Sequence, residues 1–118
     1  MDTTSPDIEV VITFLRTEEG GRTCPVFSGY RPQFYYEKQD WDAEHTYFGV
    51  EQVKPGDTVT ARLTFTRPHM HLGRICVGTE FLLREGSKTV AKGHVTEILH
   101  LEDNAKQIRD IESKSPNI

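Results

Sequence analysis

The sequence predicts an all-β fold, a small six-stranded closed antiparallel β-barrel with a short C-terminal tail. Three observations carry this. Short segments alternate apolar and polar residues at the period of a strand. Turn signals separate them, giving six strands in the first 100 residues. No confident helical pattern interrupts them, and closing a single sheet both buries a core and removes exposed strand edges.

The elements follow in order. "DIEVVITFL" at 7–15 sets Ile8, Val10, Ile12 and Phe14 on one strand face. "PQFYYE" at 32–37 reads as a short aromatic strand, with alternate aromatics in the core, and "HTYFGVEQV" at 45–53 as a short, broken one. "KPGD" at 54–57 is a turn, because Pro55 presets φ and Gly56 tolerates a left-handed conformation. "TVTARLTFT" at 58–66 is the clearest strand, with Val59, Ala61, Leu63 and Phe65 on one side. "TEFLLREGSKTVAKGHVTEIL" at 79–99 is a hairpin turning at Glu85-Gly86-Ser87. The last 18 residues are charged and lack aromatics. Over 102–112 they read either as a short helix, with Leu101, Ile108 and Ile111 as weak apolar marks, or equally as a frayed tail. Residues 1–6 read as a disordered lead, 7–100 as the barrel and 101–118 as the tail.

Composition sets bounds on function. A chain of 118 residues with 36% hydrophobic and 27% charged residues fits one soluble domain. Two cysteines are too few for a disulfide framework. The sequence holds no apolar run of the roughly 18 residues a membrane span needs, and "MDTTSPD" has no signal-peptide features. These point to the cytoplasm and away from a membrane. The net charge is −4, and both parts share it: residues 1–100 hold 11 Lys/Arg against 14 Asp/Glu, residues 101–118 hold 3 against 4. Any nucleic-acid contact would therefore need a local basic patch working against the overall field.

Residues with potential chemistry are few. There is no phosphate-binding Gly-x-x-x-x-Gly-Lys-Ser/Thr loop. "EGGR" at 19–22 offers backbone amides to a phosphate, although two adjacent glycines most often mark a turn. His69 and His71 lie in "RPHMHLGR", read as a solvated loop with too few ligands for zinc. His94 and His100 share a strand face by parity. Cys24 stands near Arg22 with no histidine close in sequence, and Asp40 and Asp42 share a face, so neither supplies a catalytic constellation. No enzyme activity and no cofactor are expected. Arg22 and Arg31 are read as structural, bonding turn carbonyls and carboxylates such as Glu18 and Glu19. Trp41, between two aspartates, is read as a plug at the barrel mouth or as a protein-contact anchor.

"EEGGRTCPVFSGYRPQFYY" at 18–36, "VEQVKPGD" at 50–57 and "REGSKTVAKGHVTEIL" at 84–99 resemble, in that order, the C-terminal (third) domain of elongation factor Tu. The resemblance covers about residues 7–100 and implies a six-stranded antiparallel barrel, without the family's GTPase portion and second barrel. Met1 and the added tail favour a separate reading frame over a fragment. In the family this barrel packs on the other domains, touches the T-stem backbone of aminoacyl-tRNA and offers a surface to the nucleotide-exchange factor. The tRNA-side positions that the resemblance carries over are Gln33, Arg67 (for a lysine before proline), Glu85 and Gly86, and Lys88 (for an arginine). The family's threonine in its Asp-Val-Thr segment falls on Asp42, and a carboxylate there repels a phosphodiester. "RPHMHLGRICVGTEF" is longer than the matching family loop.

The resemblance implies a non-catalytic binding module that docks a protein partner, either a translation GTPase or a factor that recognises elongation factor Tu. The alternatives are a weak tRNA or structured-RNA backbone binder and a decoy or immunity-type mimic of elongation factor Tu. The candidate contacts are Gln33, Trp41, Arg67, Glu85, Gly86 and Lys88.

Overall fold

A computed structural model describes residues 5–114, with side chains as far as residue 108. Six strands, β1 (Ile8–Phe14), β2 (Gln33–Tyr36), β3 (Gln39–Tyr47), β4 (Thr58–Phe65), β5 (Glu80–Glu85) and β6 (Lys88–Ile98), precede one helix, α1 (Leu101–Lys114). They close into an antiparallel barrel in the order β1-β4-β3-β2-β5-β6.

Alternation decides which side chains fill it. Ile8, Val10, Ile12 and Phe14 of β1 meet Val59, Ala61, Leu63 and Phe65 of β4, all buried as the sequence predicts. β2 adds Phe34 and Tyr36, and β5 adds Phe81 and Leu83. Phe34 sits at the centre, stacked on Phe81 at 4.3 Å and edge-on to Phe65 at 5.1 Å between ring centroids. Each such side chain contributes on the order of 1.5–3 kcal/mol by leaving water.

The third strand differs from its prediction. It starts at Gln39 and ends at Tyr47, whereas 48–53 turns away, keeping the Phe48 amide on the Thr60 carbonyl and an isolated bridge from Val53 to Val26. Gly49, at φ 79°, breaks the extended run. The strand's true start was hidden because the β2–β3 turn contains no glycine. Glu37 and Lys38 both take left-handed backbone, with φ of 51° and 64°.

The Gly-Gly-Arg of the long crossover is a turn. A 3-10 turn at Thr17–Glu19 closes on Gly20 at φ 94°, and Gly21 passes so near the backbone that an added Cβ would meet the Leu15 carbonyl oxygen at 2.4 Å. Its amides are spent internally: Gly20 donates to the Thr17 carbonyl and Gly21 to the Arg16 carbonyl. No phosphate cradle forms there.

Of the two histidines read as solvated, His71 ends up capping the barrel. His71 is fully buried: its Nδ1 lies 2.6 Å from the Tyr36 hydroxyl, and its ring stacks on Phe65 at 3.9 Å. The segment 68–75 folds inward because Pro68, His71 and Ile75 all face the core, which makes the inserted loop a plug. At the other end of β3, His45 is buried with Nδ1 2.9 Å from the Tyr47 hydroxyl. Burial holds both imidazoles well below their usual range, His45 at about 3 and His71 at about 4.

Of the two readings of the tail, the helix is the one formed. Leu101 and Ala105 are buried and Ile108 half-buried, spaced as one helix face requires. The Ile111 side chain, and residues 1–4 and 115–118, lie outside the described residues. The Ser5 carbonyl accepts from the Asn104 side chain. His100 follows the end of β6 at Ile98, so it shares no strand face with His94.

Candidate docking face

Registers place the outward side chains in rows. Asp42, Gln33 and Arg84 form one row across β3, β2 and β5. The next runs Asp40, Tyr35, Leu82, Lys92 and Thr13, crossing from β3 to β1. A third holds Glu80, His94 and Val11. Their inward neighbours Phe34, Phe81, Ala91 and Ile12 are core residues, so these rows are the outer face by alternation. The face is concave. A groove of about 540 Å³ runs over it, and Tyr35 and Leu82, both half-buried, form its apolar part.

Arg84 and Asp40 face each other at one side of this surface. The Arg84 guanidinium lies over the Tyr35 ring at 4.4 Å and approaches the Asp40 carboxylate at 3.7 Å. The result is an aromatic platform bordered on one side by Arg84, Asp40 and Asp42 and on the other by Lys92 and Glu80.

The candidate residues from the sequence fall around this face unequally. Gln33 belongs to it, half-buried between Asp42 and Arg84. Arg67 is exposed just past β4, reached through Thr66, whose amide donates to the Asp42 carbonyl. Arg31 is also exposed there and donates to the Thr66 hydroxyl at 3.3 Å. Lys88 opens β6, exposed and paired with Glu85, and Gly86 turns the hairpin at φ 63°. Trp41 points to the opposite side of the sheet, partly buried against the core, with His71 edge-on at 4.7 Å and Arg74 over its ring at 5.3 Å.

Glu85 is occupied. Its carboxylate accepts from the Arg22 guanidinium and, at 2.5 Å, from the Tyr30 hydroxyl. Arg22 also donates to the Cys24 carbonyl at 3.2 Å. Arg22 is thus structural, as expected, but its carboxylate is Glu85 in the last hairpin. Glu19 instead accepts from the Arg16 amide, so the expectation that Glu18 and Glu19 hold the arginines is corrected. Local sequence could not reveal a pairing that spans 63 positions. Burial and the Glu85 carboxylate push the Tyr30 hydroxyl far above its usual range.

Cys24 and Cys76 are exposed free thiols. Among the described residues no group of His, Cys, Asp and Glu side chains is arranged to hold a metal, and no helix is long and apolar enough to cross a membrane.

A family model described as "Elongation factor Tu C-terminal domain" matches residues 3–99. The chain belongs to that family. It is a translation-factor-related domain, and the closed six-stranded barrel is the fold that the sequence resemblance implied. Within this elongation factor Tu-type barrel, sequence reasoning missed Tyr35, Leu82, Lys92 and His94 as a surface. The only available signal was strand parity, which marks them as outward. Their convergence depends on two separate registers, β2 with β5 and β5 with β6. Helix α1 lies beyond the matched residues.

Proposed function

We propose that this elongation factor Tu-type barrel is a non-catalytic binding module of the cytoplasm, and that it docks a protein partner linked to translation through the outer face of β2, β5 and β6. The partner is a translation GTPase or a factor that recognises elongation factor Tu. The observation that carries this is the groove around Tyr35 and Leu82, with fixed charges of both signs along its edge. A half-buried aromatic beside an aliphatic side chain is what a protein interface anchors on, and mixed charges give register.

The same face suits RNA poorly. Asp42 stands directly across from Gln33 and Asp40 lies two residues along the same strand, Arg84 is already committed to Asp40 and Tyr35, and Glu85 is committed to Arg22 and Tyr30. Phosphates approaching Gln33 would meet two carboxylates on a chain of net charge −4. One observation favours weak tRNA binding as a second reading. Arg31 and Arg67 stand exposed together at the Thr66 edge, enough for a salt-sensitive backbone contact.

Pull-down with the tagged chain, with and without ribonuclease, separates the two. The docking reading expects a translation-linked protein retained after ribonuclease and lost from a Leu82→Glu bait. Retention of tRNA alone, abolished by Arg67→Glu and unaffected by Leu82→Glu, would favour the second reading and overturn the first.

A further inference from the structure

We propose that α1 is a latch that sets the position of the plug segment 68–75, and through it the Arg67 edge of the barrel. The helix packs directly on the turn Pro68–His71. It is tied down through one buried carboxylate. Asn104 donates to Asp7 Oδ1 at 2.7 Å, and Asp7 Oδ2 accepts the Phe65 amide at 2.6 Å, at the last residue of β4. The same Asn104 amide donates to the Ser5 carbonyl at 2.7 Å. Helix, N-terminal lead and the end of β4 thus meet at Asp7, which holds the amide of Phe65, two residues before Arg67.

The plug in turn fixes the barrel mouth. His71 stacks on Phe65 and bonds Tyr36, and Arg74 joins the Glu37 carboxylate at 2.8 Å on the β2–β3 turn. The Met70 amide donates to the Arg67 carbonyl at 3.1 Å, so the backbone of Arg67 moves with the plug.

The latch is built to open without the barrel. The strands complete their hydrogen-bonded ring with no contribution from α1. Among the described side chains the helix seats Leu101, Ala105 and part of Ile108, and a cleft of about 250 Å³, lined in part by Asp7, Thr66, Pro68 and Gln107, remains beneath it. A helix of 14 residues is marginal by itself in water and draws its order from this seat. Its opening therefore belongs to the low end of the stability range, below global unfolding. When α1 leaves, the plug loses its outer support, and the Arg67 edge loses its fixed geometry.

Hydrogen exchange on the full chain tests this, together with acrylamide quenching of Trp41, the single tryptophan. Ala105→Glu places a charge in the seat. The expected result is exchange at least about tenfold faster at the Met70, Arg74 and Ile75 amides, with greater Trp41 quenching and unchanged protection in β1 and β4. Unchanged plug amides and unchanged quenching while α1 exchanges freely would overturn the proposal. If the substitution strips protection from β1 and β4, wild-type exchange in low urea decides. Joint opening of α1 and the plug, ahead of the barrel strands, supports the latch; separate openings overturn it.

Discussion

The Tyr30 hydroxyl donates a 2.5 Å hydrogen bond to the Glu85 carboxylate, joining the long crossover to the last hairpin across 55 positions. Arg22 completes the arrangement on the same oxygen and lies over the Tyr30 ring at 5.3 Å. The sequence resemblance makes Glu85 a candidate contact for RNA, whereas its geometry makes it a fastener. Glu85→Ala leaves a hydroxyl and a guanidinium without their acceptor in a half-buried place. We expect a loss of about 1–2 kcal/mol, a fall of roughly 4–8 °C in Tm. Tyr30→Phe should cost about 1 kcal/mol, and the double variant should show coupling. Thermal denaturation of the four proteins checks this, and an unchanged Tm for Glu85→Ala would remove the structural role.

The two buried histidines make stability depend on acid. His45 and His71 are held neutral at about 3 and about 4 in the folded chain, against about 6.5 when unfolded. Between those values the unfolded state binds the extra protons, so stability falls as pH drops from about 6.5 towards 4. At pH 5 the loss is on the order of 2 kcal/mol for each. Asp7 acts in the opposite direction. Desolvation raises its carboxyl above the usual range, though Asn104, the Phe65 amide and His100 counter it. Its protonation below that raised value therefore favours the fold. The histidines outweigh it because two side chains with large shifts oppose one. Urea midpoints across pH 4.5–7.5 should fall on the acid side, with a shallower slope for His71→Asn. A flat profile would contradict the burial of the imidazoles.

The β2–β3 turn stores strain that a glycine would release. Lys38, at φ 64°, costs more there than glycine does. Lys38→Gly should stabilise the fold by about 0.5–1 kcal/mol, net of the added freedom of the unfolded chain. Glu37 has to stay, since it accepts from Arg74. Chemical denaturation is the check, and destabilisation by Lys38→Gly would show that the lysine side chain has an unassigned role.

Gly93 keeps the outer face together from beneath. An added Cβ would lie 2.5 Å from the Val11 carbonyl oxygen and 2.7 Å from the Phe81 ring. The carbonyl belongs to a ladder strand and the ring to the packed core, so neither yields cheaply. Gly93→Ala should destabilise by about 2–4 kcal/mol, measured by urea unfolding. Less than about 0.5 kcal/mol would mean that β1 and β6 separate more easily than their register implies.

Much of this architecture was legible beforehand because a barrel strand advertises its inner face. Val59, Ala61, Leu63 and Phe65 alternate cleanly, and the Pro55-Gly56 turn fixes where that strand begins. What stayed hidden was whatever depends on distant partners. β3 carries aspartates and a tryptophan at its start, so its pairing with β2 outweighs its weak local preference for a strand. His71 reads as solvated until the fold brings it the Tyr36 hydroxyl inside the barrel, and nothing local marks His45, which meets Tyr47, as buried. The docking rows were hidden for the same reason: Tyr35, Leu82, Lys92 and His94 come from three strands and meet only through register.

The most direct test of protein docking is a photo-crosslinking residue in place of Tyr35, with Thr60, exposed on β4, as the control position. In cell extract the expected result is a crosslink from position 35 to a translation-linked protein. That crosslink should survive ribonuclease, disappear with Leu82→Glu and be absent from position 60. Crosslinks only to RNA, or equal labelling from both positions, would contradict it.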